Sequence, residues 1–284
     1  MKNIITGFLF AALWGTGSVV IKFGLTAGQP LVLMNVRFAI AALLMLLFAL
    51  LINKDRYPKR EEWLPLFIGG ILSMTIYVTA FVFAMKQITA GIGTLGIAAN
   101  PLIITVLNLV WLRQKITKNI WVGLFMSITG IAIATYPLLI HAQATFIGVA
   151  LLGLSMICYS VATVYYQSIN WTLPRLSING WQVFFGGLGM LPFTLFFYEP
   201  SINTYNSTFW LSVFWMVIPV SIISVQLWLY LLKAEPIKAS LWLFLCPIFG
   251  FFYAAILLHE PITIYTLIGT SFVILGLYLG KKSA

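Results

Sequence analysis

Ten apolar segments, each close to 20 residues long, follow one another along the chain with short polar stretches between them. They lie at residues 3–27, 30–52, 63–86, 89–112, 118–140, 146–169, 179–199, 208–232, 236–258 and 261–280. A helix needs about 20 apolar residues to cross the hydrocarbon core of a bilayer. Because lipid offers backbone groups no hydrogen-bond partner, each segment must be helical. The pattern predicts an all-α integral membrane protein with ten transmembrane helices.

The composition leaves no room for a second, soluble domain. Of the 284 residues, 61% are hydrophobic and only 8% are charged, whereas soluble domains carry about 25% charged residues. We therefore expect a single membrane domain over residues 1–284. The first apolar segment has no cleavage site after it and is predicted to be a retained span. Cys158 and Cys246 both lie within predicted spans and are expected to be free thiols.

The basic residues indicate the orientation of the chain. The net charge of +10 comes from Lys and Arg that are distributed over short loops. This distribution does not form a concentrated nucleic-acid-binding surface; it indicates which loops lie on the cytoplasmic side. With a cytoplasmic N-terminus, thirteen basic residues lie inside and one, Lys86, lies outside. The thirteen are Lys2, Lys54, Arg56, Lys59, Arg60, Arg113, Lys115, Lys118, Arg175, Lys233, Lys238, Lys281 and Lys282. Both termini are thus predicted to be cytoplasmic.

The second half of the chain resembles the first. A shift of 146 positions aligns Pro101 with Pro247, Gly123 with Gly269 and Gly130 with Gly276. The repeats are predicted to cover about residues 1–142 and 143–284, with five spans in each. Since five is odd, the second repeat must be inverted in the membrane, an arrangement typical of secondary transporters with a binding site between the repeats.

The paired prolines lie near the centres of the fourth and ninth spans. Proline has no N–H and crowds the carbonyl four residues before it. Pro101 and Pro247 are therefore predicted to free the carbonyls of Ile97 and Leu243 at mid-membrane depth. Such backbone is tolerated where it is buried in protein or lines a wet cavity. The simpler alternative is a packing kink, but two prolines matched by the repeat favour a cavity-lining role.

Several polar and aromatic side chains are candidates for substrate binding at mid-depth. They are Trp14, Tyr77, Asn100, Tyr159 and Gln226, together with Ser224. Trp14 and Tyr159 match each other in the repeat after a one-residue shift. Away from the membrane interface, their polar atoms need a partner in protein, water or substrate. Hydrogen bonding between helices is the alternative for each of them.

Charged residues within the spans are few. Lys22 and Arg37 lie in the outer third of the bilayer. A charged side chain at this depth either has a function or extends along its aliphatic stem until the charged group reaches the interface. We expect Lys22 to bind an anionic substrate group or to extend to the interface, and Arg37 to pack the outer helix ends as a structural or gate residue. Every carboxylate falls in a loop or at a span end, so a buried proton relay is disfavoured. The sequence predicts no metal site and no cofactor.

Several stretches are similar to the drug/metabolite transporter superfamily, and specifically to its EamA-like ten-span permeases. They are FLFAALWGTGSVVIKFGL, RFAIAALLMLL, GTLGIAANPLIITVLNLVWL, GLFMSITGIAIA, ASLWLFLCPIFGFFYAAILLHEPIT and GTSFVILGLYLG. The resemblance implies two inverted five-helix repeats and alternating access for small metabolites, often the export of amino acids. The chain departs from the family at 113–117, where RQKIT replaces an acidic loop motif, whereas HEPIT at 259–263 keeps Glu260.

These observations predict a secondary transporter of the inner membrane that exports amino acids or similar amphipathic carboxylates. A carrier of lipid, nucleotide sugar or other organic anions is the alternative. An enzyme is disfavoured, because no His, Asp or Glu lies deep in a span to serve a nucleophile or a metal. The expected partners are a small-molecule substrate and the bilayer, with monomer and homodimer both open.

Overall fold

The computed structural model describes residues 2–114, 116–140, 145–234, 236–259 and 262–282. Within these ranges the regular structure is helical, and no strand occurs. The α-helices are, in chain order, α1 (Lys2–Gly15), α2 (Gly17–Leu25), α3 (Pro30–Leu47), α4 (Arg60–Gly70), α5 (Tyr77–Met85), α6 (Ala90–Ile97), α7 (Asn100–Val110), α8 (Lys118–Ile140), α9 (Phe146–Ser168), α10 (Arg175–Phe196), α11 (Ser207–Trp215), α12 (Val225–Ala234), α13 (Pro236–Leu241), α14 (Leu245–Leu257) and α15 (Ile264–Lys282).

In the described chain, six helical runs are long and apolar enough to cross a membrane. They are Asn3–Leu25, Pro30–Ile52, Arg60–Met85, Phe146–Ser168, Ser207–Ala234 and Ile237–Leu257. Only 33% to 56% of the most apolar window of each run is buried inside the protein. The rest of each run is an outward apolar face that water would not tolerate but lipid would. The prediction of an all-helical membrane protein is therefore confirmed.

Two of these runs are interrupted by a wide π-helical segment, and a third, Pro30–Ile52, ends in one, Phe48–Ile52. The segment Ile71–Ile76 separates α4 from α5, and Met216–Ser224 separates α11 from α12. Pro219 lies inside the second segment, and Pro65 lies within α4 ahead of the first. A proline removes a backbone donor, and local widening of the helix lets the remaining groups find partners. Such turns occur often at functional sites.

The fourth and ninth apolar segments are interrupted close to their prolines. Helix α6 ends at Ile97, and α7 begins at Asn100 with Pro101 in its first turn. In the ninth segment a 3-10 turn, Trp242–Phe244, precedes α14, whose first turn contains Pro247. Proline is well accommodated there, because the first N–H groups of a helix have no partner within it. Ile97 and Leu243 are buried in protein.

Helices of one half of the chain pack extensively against helices of the other. The pairs α8 with α15 and α3 with α10 make the largest interfaces, followed by α5 with α9. Helix α1 packs against α12 and α14, while α9 packs against α5 and α7. The two halves are thus interleaved, and the core lies between them.

Glycines bring α8 and α15 into backbone contact. A Cβ on Gly130 would overlap the Gly269 carbonyl, and a Cβ on Gly276 would overlap the Gly123 carbonyl. As the position along α8 rises from 123 to 130, its partner on α15 falls from 276 to 269, so the helices are antiparallel. Small residues permit this close approach between membrane helices.

A second pair of glycines accepts large side chains from the opposite half. Gly7 lies against the indole of Trp242, and Gly96 lies against the side chain of Leu152. Gly7 and Leu152 are 145 positions apart, and Gly96 and Trp242 are 146 apart. The same interface is therefore built twice, with the small residue contributed once by α1 and once by α6.

Polar contacts join the halves at both ends of the bundle. At one end, the backbone N–H of Gln29 donates to Asn203 Oδ1 at 2.8 Å, and Thr204 N donates to the Ala27 carbonyl at 2.9 Å. At the other end, Arg56 binds Glu62 at 2.8 Å and also donates to Thr172, while Ser177 donates to Asp55 at 2.6 Å.

The described ranges leave out Lys115, His141, Glu235 and Glu260. Among the described carboxylates, Glu61 and Glu62 lie in the first turn of α4, and Asp55 and Glu199 lie in loops. Both cysteines are free thiols; Cys246 is buried and Cys158 is partly buried. The helix bounds agree with the predicted segments to within a few residues, the largest shift being the earlier start of α10, at Arg175.

Candidate functional site

A cavity lies between the two halves of the chain, and the centre of a water-sized sphere can occupy about 90 Å³ of it. Its walls come mainly from α2, α5, α9 and α12 and from the two π segments Ile71–Ile76 and Met216–Ser224. Helices α1, α3, α4, α6 and α10 contribute one residue each. A mostly apolar cavity with a few polar groups is the usual form of a small-molecule site.

The lining residues of the first helical run and of α9 occupy matching positions. Every lining residue that the run Asn3–Leu25 contributes has a lining partner 145 positions later in α9. The pairs are Trp14 and Tyr159, Gly17 and Ala162, Ser18 and Thr163, and Ile21 and Tyr166. The cavity therefore uses the same face of both helical runs.

Most of the other lining residues also occur in pairs. Across the runs Arg60–Met85 and Ser207–Ala234, lining residues recur 147 positions apart. These pairs are Gly69 and Met216, Ser73 and Val220, Met74 and Ser221, Val78 and Val225, and Phe81 and Trp228. Arg37 of α3 and Gln182 of α10 form a further pair, 145 positions apart. Both π segments contribute to these pairs, so the wide turns lie on the cavity wall.

An aromatic cluster surrounds Tyr159 at the centre of the cavity. Its ring centroid lies 5.0 Å from that of Tyr77, 5.7 Å from Trp14 and 6.3 Å from Trp228. Behind them, Phe10 stacks on Trp228 at 5.1 Å. Separations of 4.5 to 7 Å are those of favourable ring pairs. The cluster gives the cavity flat apolar surfaces that suit a flat or aliphatic ligand body.

Two buried hydroxyl groups of the cavity wall are poorly satisfied, that of Ser18 and that of Tyr159, which interacts with the Thr163 side chain. Ser18 Oγ and the Tyr159 hydroxyl make no hydrogen bond of ordinary geometry with the described residues, although Ser18 is 1% and Tyr159 is 5% exposed. A buried hydroxyl without a partner is costly. Each oxygen exposes less than 1 Å² to a water-sized probe, so a bound molecule would reach it only where the cavity widens.

Arg37 is the charged residue of the cavity wall. Its Nε donates to Ser221 Oγ at 2.8 Å, its Nη1 contacts Met34 Sδ at 3.5 Å, and its guanidinium carbon lies 5.3 Å from the centre of the Phe38 ring. The side chain is only 7% exposed. No carboxylate among the described residues pairs with it; the ion pair of the described chain joins Arg56 and Glu62.

Of the residues predicted to bind substrate, Trp14, Tyr77, Ile97 and Tyr159 line the cavity together. Arg37, predicted to be a structural or gate residue, lines it with them.

The other predicted residues lie behind the wall or away from it. Asn100 Oδ1 accepts from Ser160 at 3.1 Å, Gln226 Nε2 donates to the Arg175 carbonyl at 3.3 Å, and Lys22 Nζ donates to the Ile88 carbonyl at 2.6 Å. Ser224 Oγ lies 3.4 Å from the Phe10 carbonyl. Pro101, Leu243 and Pro247 are buried and do not line the cavity.

Sequence reasoning missed several polar lining residues: Ser18, Ser73, Thr163, Gln182 and Ser221, together with Trp228. One signal was available for some of them. Extending the match of Trp14 with Tyr159 by one helical turn leads to Ser18 and Thr163. The π segments had no comparable signal beyond Pro65 and Pro219, which also fit an ordinary kink. Within the described residues, no group of three His, Cys, Asp or Glu side chains could hold a metal ion.

Comparison with known proteins relates the whole chain to transporters. The model of the EamA-like transporter family matches two stretches, residues 1–136 and 146–280. A protein described as an uncharacterized transporter of Archaeoglobus fulgidus is 25% identical over 283 residues, covering 98% of each chain. Protein PecM of Dickeya dadantii is 25% identical, covering 98% of this chain and 92% of its own.

A relative from Salmonella typhimurium, described as a probable amino-acid metabolite efflux pump, is 24% identical, covering 98% of this chain and 94% of its own. A solved crystal structure superposes with a TM-score of 0.78 at 18% identity, covering 99% of this chain and 96% of the other. At that identity, the superposition supports the fold alone.

Proposed function

The chain belongs to the EamA-like transporter family, and from this premise we propose that it is a secondary transporter that moves small amphipathic metabolites by alternating access. Membership makes it a multi-pass membrane protein of the drug/metabolite transporter superfamily and a transporter, not an enzyme.

We infer ten transmembrane helices in two inverted repeats, covering about residues 1–142 and 143–284. Helices also occupy the four predicted segments outside the six runs that are long and apolar enough to cross a membrane. The antiparallel contact of α8 with α15, through glycines that the repeat matches, supports inversion. The two stretches matched by the family model fall within the two proposed repeats.

The single observation that carries the mechanism is the pairing of cavity residues across the halves. Positions from the first half recur 145 or 147 residues later in the second, so the cavity surrounds the proposed symmetry axis. Inverted repeats place the substrate site at such an interface, and rocking of one repeat against the other exposes it to each side in turn. Trp14, Tyr77, Ile97 and Tyr159 are the proposed wall of the site, with Asn100, Pro101, Leu243 and Pro247 supporting the adjacent helix breaks.

The proposed substrates are amino acids or similar amphipathic carboxylates, exported across the inner membrane with both termini cytoplasmic. The aromatic cluster offers contact to an apolar body, and buried donors offer hydrogen bonds to a polar head. The name of the Salmonella relative points to the same class. Because no Asp or Glu lines the cavity, the proposal includes uncoupled transport or exchange in place of a simple proton relay.

The proposal is tested by reconstituting the purified protein in liposomes and measuring flux of amino acids and organic acids, with and without a pH gradient. We expect flux without the gradient, and we expect Tyr159→Ala to reduce it at least tenfold. Tyr165→Ala is the matched control, since Tyr165 lies on the same helix and contacts Trp111 at 6.4 Å outside the cavity. A strict need for a pH gradient, or equal loss in both variants, would contradict the proposal.

A further inference from the structure

The two halves contribute matching positions to the cavity but unequal charge. Arg37 in the first half corresponds to Gln182 in the second, and the other lining residues are uncharged. The wall therefore has a net charge of +1 with no carboxylate to balance it. A charge buried without a partner is strongly unfavourable in a low-dielectric setting.

Arg37 is held in place, but its charge is not neutralised. One N–H is occupied by the neutral Ser221 hydroxyl, and the guanidinium lies near the Phe38 ring. These contacts fix its direction without adding negative charge. Ser18 and Tyr159 add two buried hydroxyl donors to the same cavity. The guanidinium can only donate hydrogen bonds, and the two hydroxyls can donate as well as accept, so the group as a whole suits a ligand group rich in acceptors.

On these observations, and on the proposed function, we infer that the cavity takes organic acids with a net charge of −1 and that Arg37 binds the acid group. A monoanion brings the charge of the loaded site to zero. A zwitterion leaves it at +1, and a cation raises it to +2, which the dry aromatic surroundings disfavour. An α-ammonium group is therefore not required, and the aromatic faces of Trp14 and Trp228 contact the apolar body.

The charge of the substrate determines what drives its export. A monoanion that crosses without a counter-ion moves one negative charge in each cycle. An inside-negative membrane potential then favours its exit, with a tenfold change in the equilibrium ratio for about every 59 mV. The energy for export would come from the potential itself, which agrees with the lack of a proton-carrying carboxylate in the cavity wall.

Three ligands with the same phenyl group test the charge requirement: 3-phenylpropanoate, phenylalanine and 2-phenylethylammonium. Binding to the purified full-length protein is measured by calorimetry. We expect the anion to bind at least tenfold more tightly than the zwitterion, with the cation weakest. Phenylalanine binding as tightly as 3-phenylpropanoate would overturn the monoanion inference while leaving transport intact.

Variants test the assignment to Arg37. Arg37→Gln should weaken 3-phenylpropanoate binding about 30-fold or more, the effect of removing one partner of a buried charged contact. Arg37→Lys keeps the charge and should retain part of the affinity. Lys86→Gln removes a charge from an exposed lysine away from the cavity and should bind normally. If Arg37→Gln does not fold, Arg37→Lys with a wild-type unfolding midpoint but weakened 3-phenylpropanoate binding supports the assignment, and unchanged 3-phenylpropanoate binding refutes it.

Flux in liposomes with a potassium diffusion potential separates this inference from the proposed function. We expect 3-phenylpropanoate efflux to accelerate when the inside is negative and phenylalanine flux to respond weakly. Flux of several solutes without any response to the potential would contradict monoanion transport only. Binding that depends on Arg37 with no flux of any solute would contradict the transporter proposal and leave the anion site standing.

Discussion

At the scale of single residues, the two halves of the cavity wall differ in charge at one pair of matching positions. This difference would give an asymmetric ligand a preferred orientation. Trp14 corresponds to Tyr159, and Phe81 to Trp228, so aromatic surface is kept on both sides. Arg37 and Gln182 break this balance. A symmetric site would place equivalent groups around both ends of a small asymmetric molecule, whereas one cation gives the ligand a single preferred orientation.

A second cation should change the preferred ligand charge. Gln182→Arg places a guanidinium at the position that corresponds to Arg37, and the site then carries +2. We expect the affinity ratio of the dianion benzylsuccinate to 3-phenylpropanoate to rise at least tenfold, because two charges now need partners. Calorimetry on both ligands checks the ratio. Gln182→Met, which keeps the length without charge, is the control, and an equal rise in that variant contradicts the explanation.

At the scale of helices, glycine spacing and irregular turns determine how the halves fit. Gly123, Gly130, Gly269 and Gly276 let α8 and α15 touch through backbone atoms. The sequence repeat had already matched these four glycines, so their structural role was predictable. The π segments Ile71–Ile76 and Met216–Ser224 were not predicted, because an apolar run gives no periodic signal for a turn that is one residue wider.

Closing the space at the glycine contact should loosen the bundle. Gly130→Ala places a methyl group against the Gly269 carbonyl, a backbone atom that cannot rotate away. Overpacking of this kind costs about 1 to 3 kcal/mol. We expect a lower thermal unfolding midpoint in detergent. Gly153→Ala on α9 meets no atom within 4 Å and should be neutral or slightly stabilising, since alanine favours helix. Equal midpoints for the two variants would refute the close contact.

The polar contacts between Arg56, Glu62 and Thr172 should hold one end of the bundle together. The hydrogen bond from Arg56 to Glu62 raises the pKa of Arg56 above its usual value, so the arginine stays charged. Glu62→Gln removes the ion pair and weakens the link to the loop at 169–174. Hydrogen–deuterium exchange should become faster in that loop. Glu61→Gln is the matched control, because Glu61 is exposed whereas Glu62 is buried; no difference between the variants would exclude the link.

At the scale of the whole molecule, hydropathy and repeat spacing carried most of the prediction. Hydropathy and repeat spacing led to the all-helical class, to the positions of the helices and to the aromatic pair Trp14 and Tyr159. Each of these features depends on residues whose type is determined by one dominant requirement. The cavity wall was harder to predict. The prolines directed attention to Ile97 and Leu243, yet only Ile97 lines the cavity. The sequence favoured Lys22 as the substrate-binding charge and Arg37 as a structural or gate residue, yet Arg37 lines the cavity and Lys22 does not. The direction of a side chain depends on helix rotation, which hydropathy does not determine.

Inversion of the repeats is a property of the whole chain, and labelling at equivalent loop positions tests it. Thr26 and Trp171 correspond at the 145-residue spacing, and both Thr26 and the neighbouring Asn170 are exposed. In a background without Cys158 and Cys246, a membrane-impermeant maleimide should label Thr26→Cys in intact cells. It should label Asn170→Cys only after permeabilisation. Parallel repeats would place both loops on the same side of the membrane. Labelling of both cysteines from outside would therefore exclude inverted repeats. It would also exclude the mechanism in which two oppositely oriented repeats open the cavity to each side of the membrane in turn.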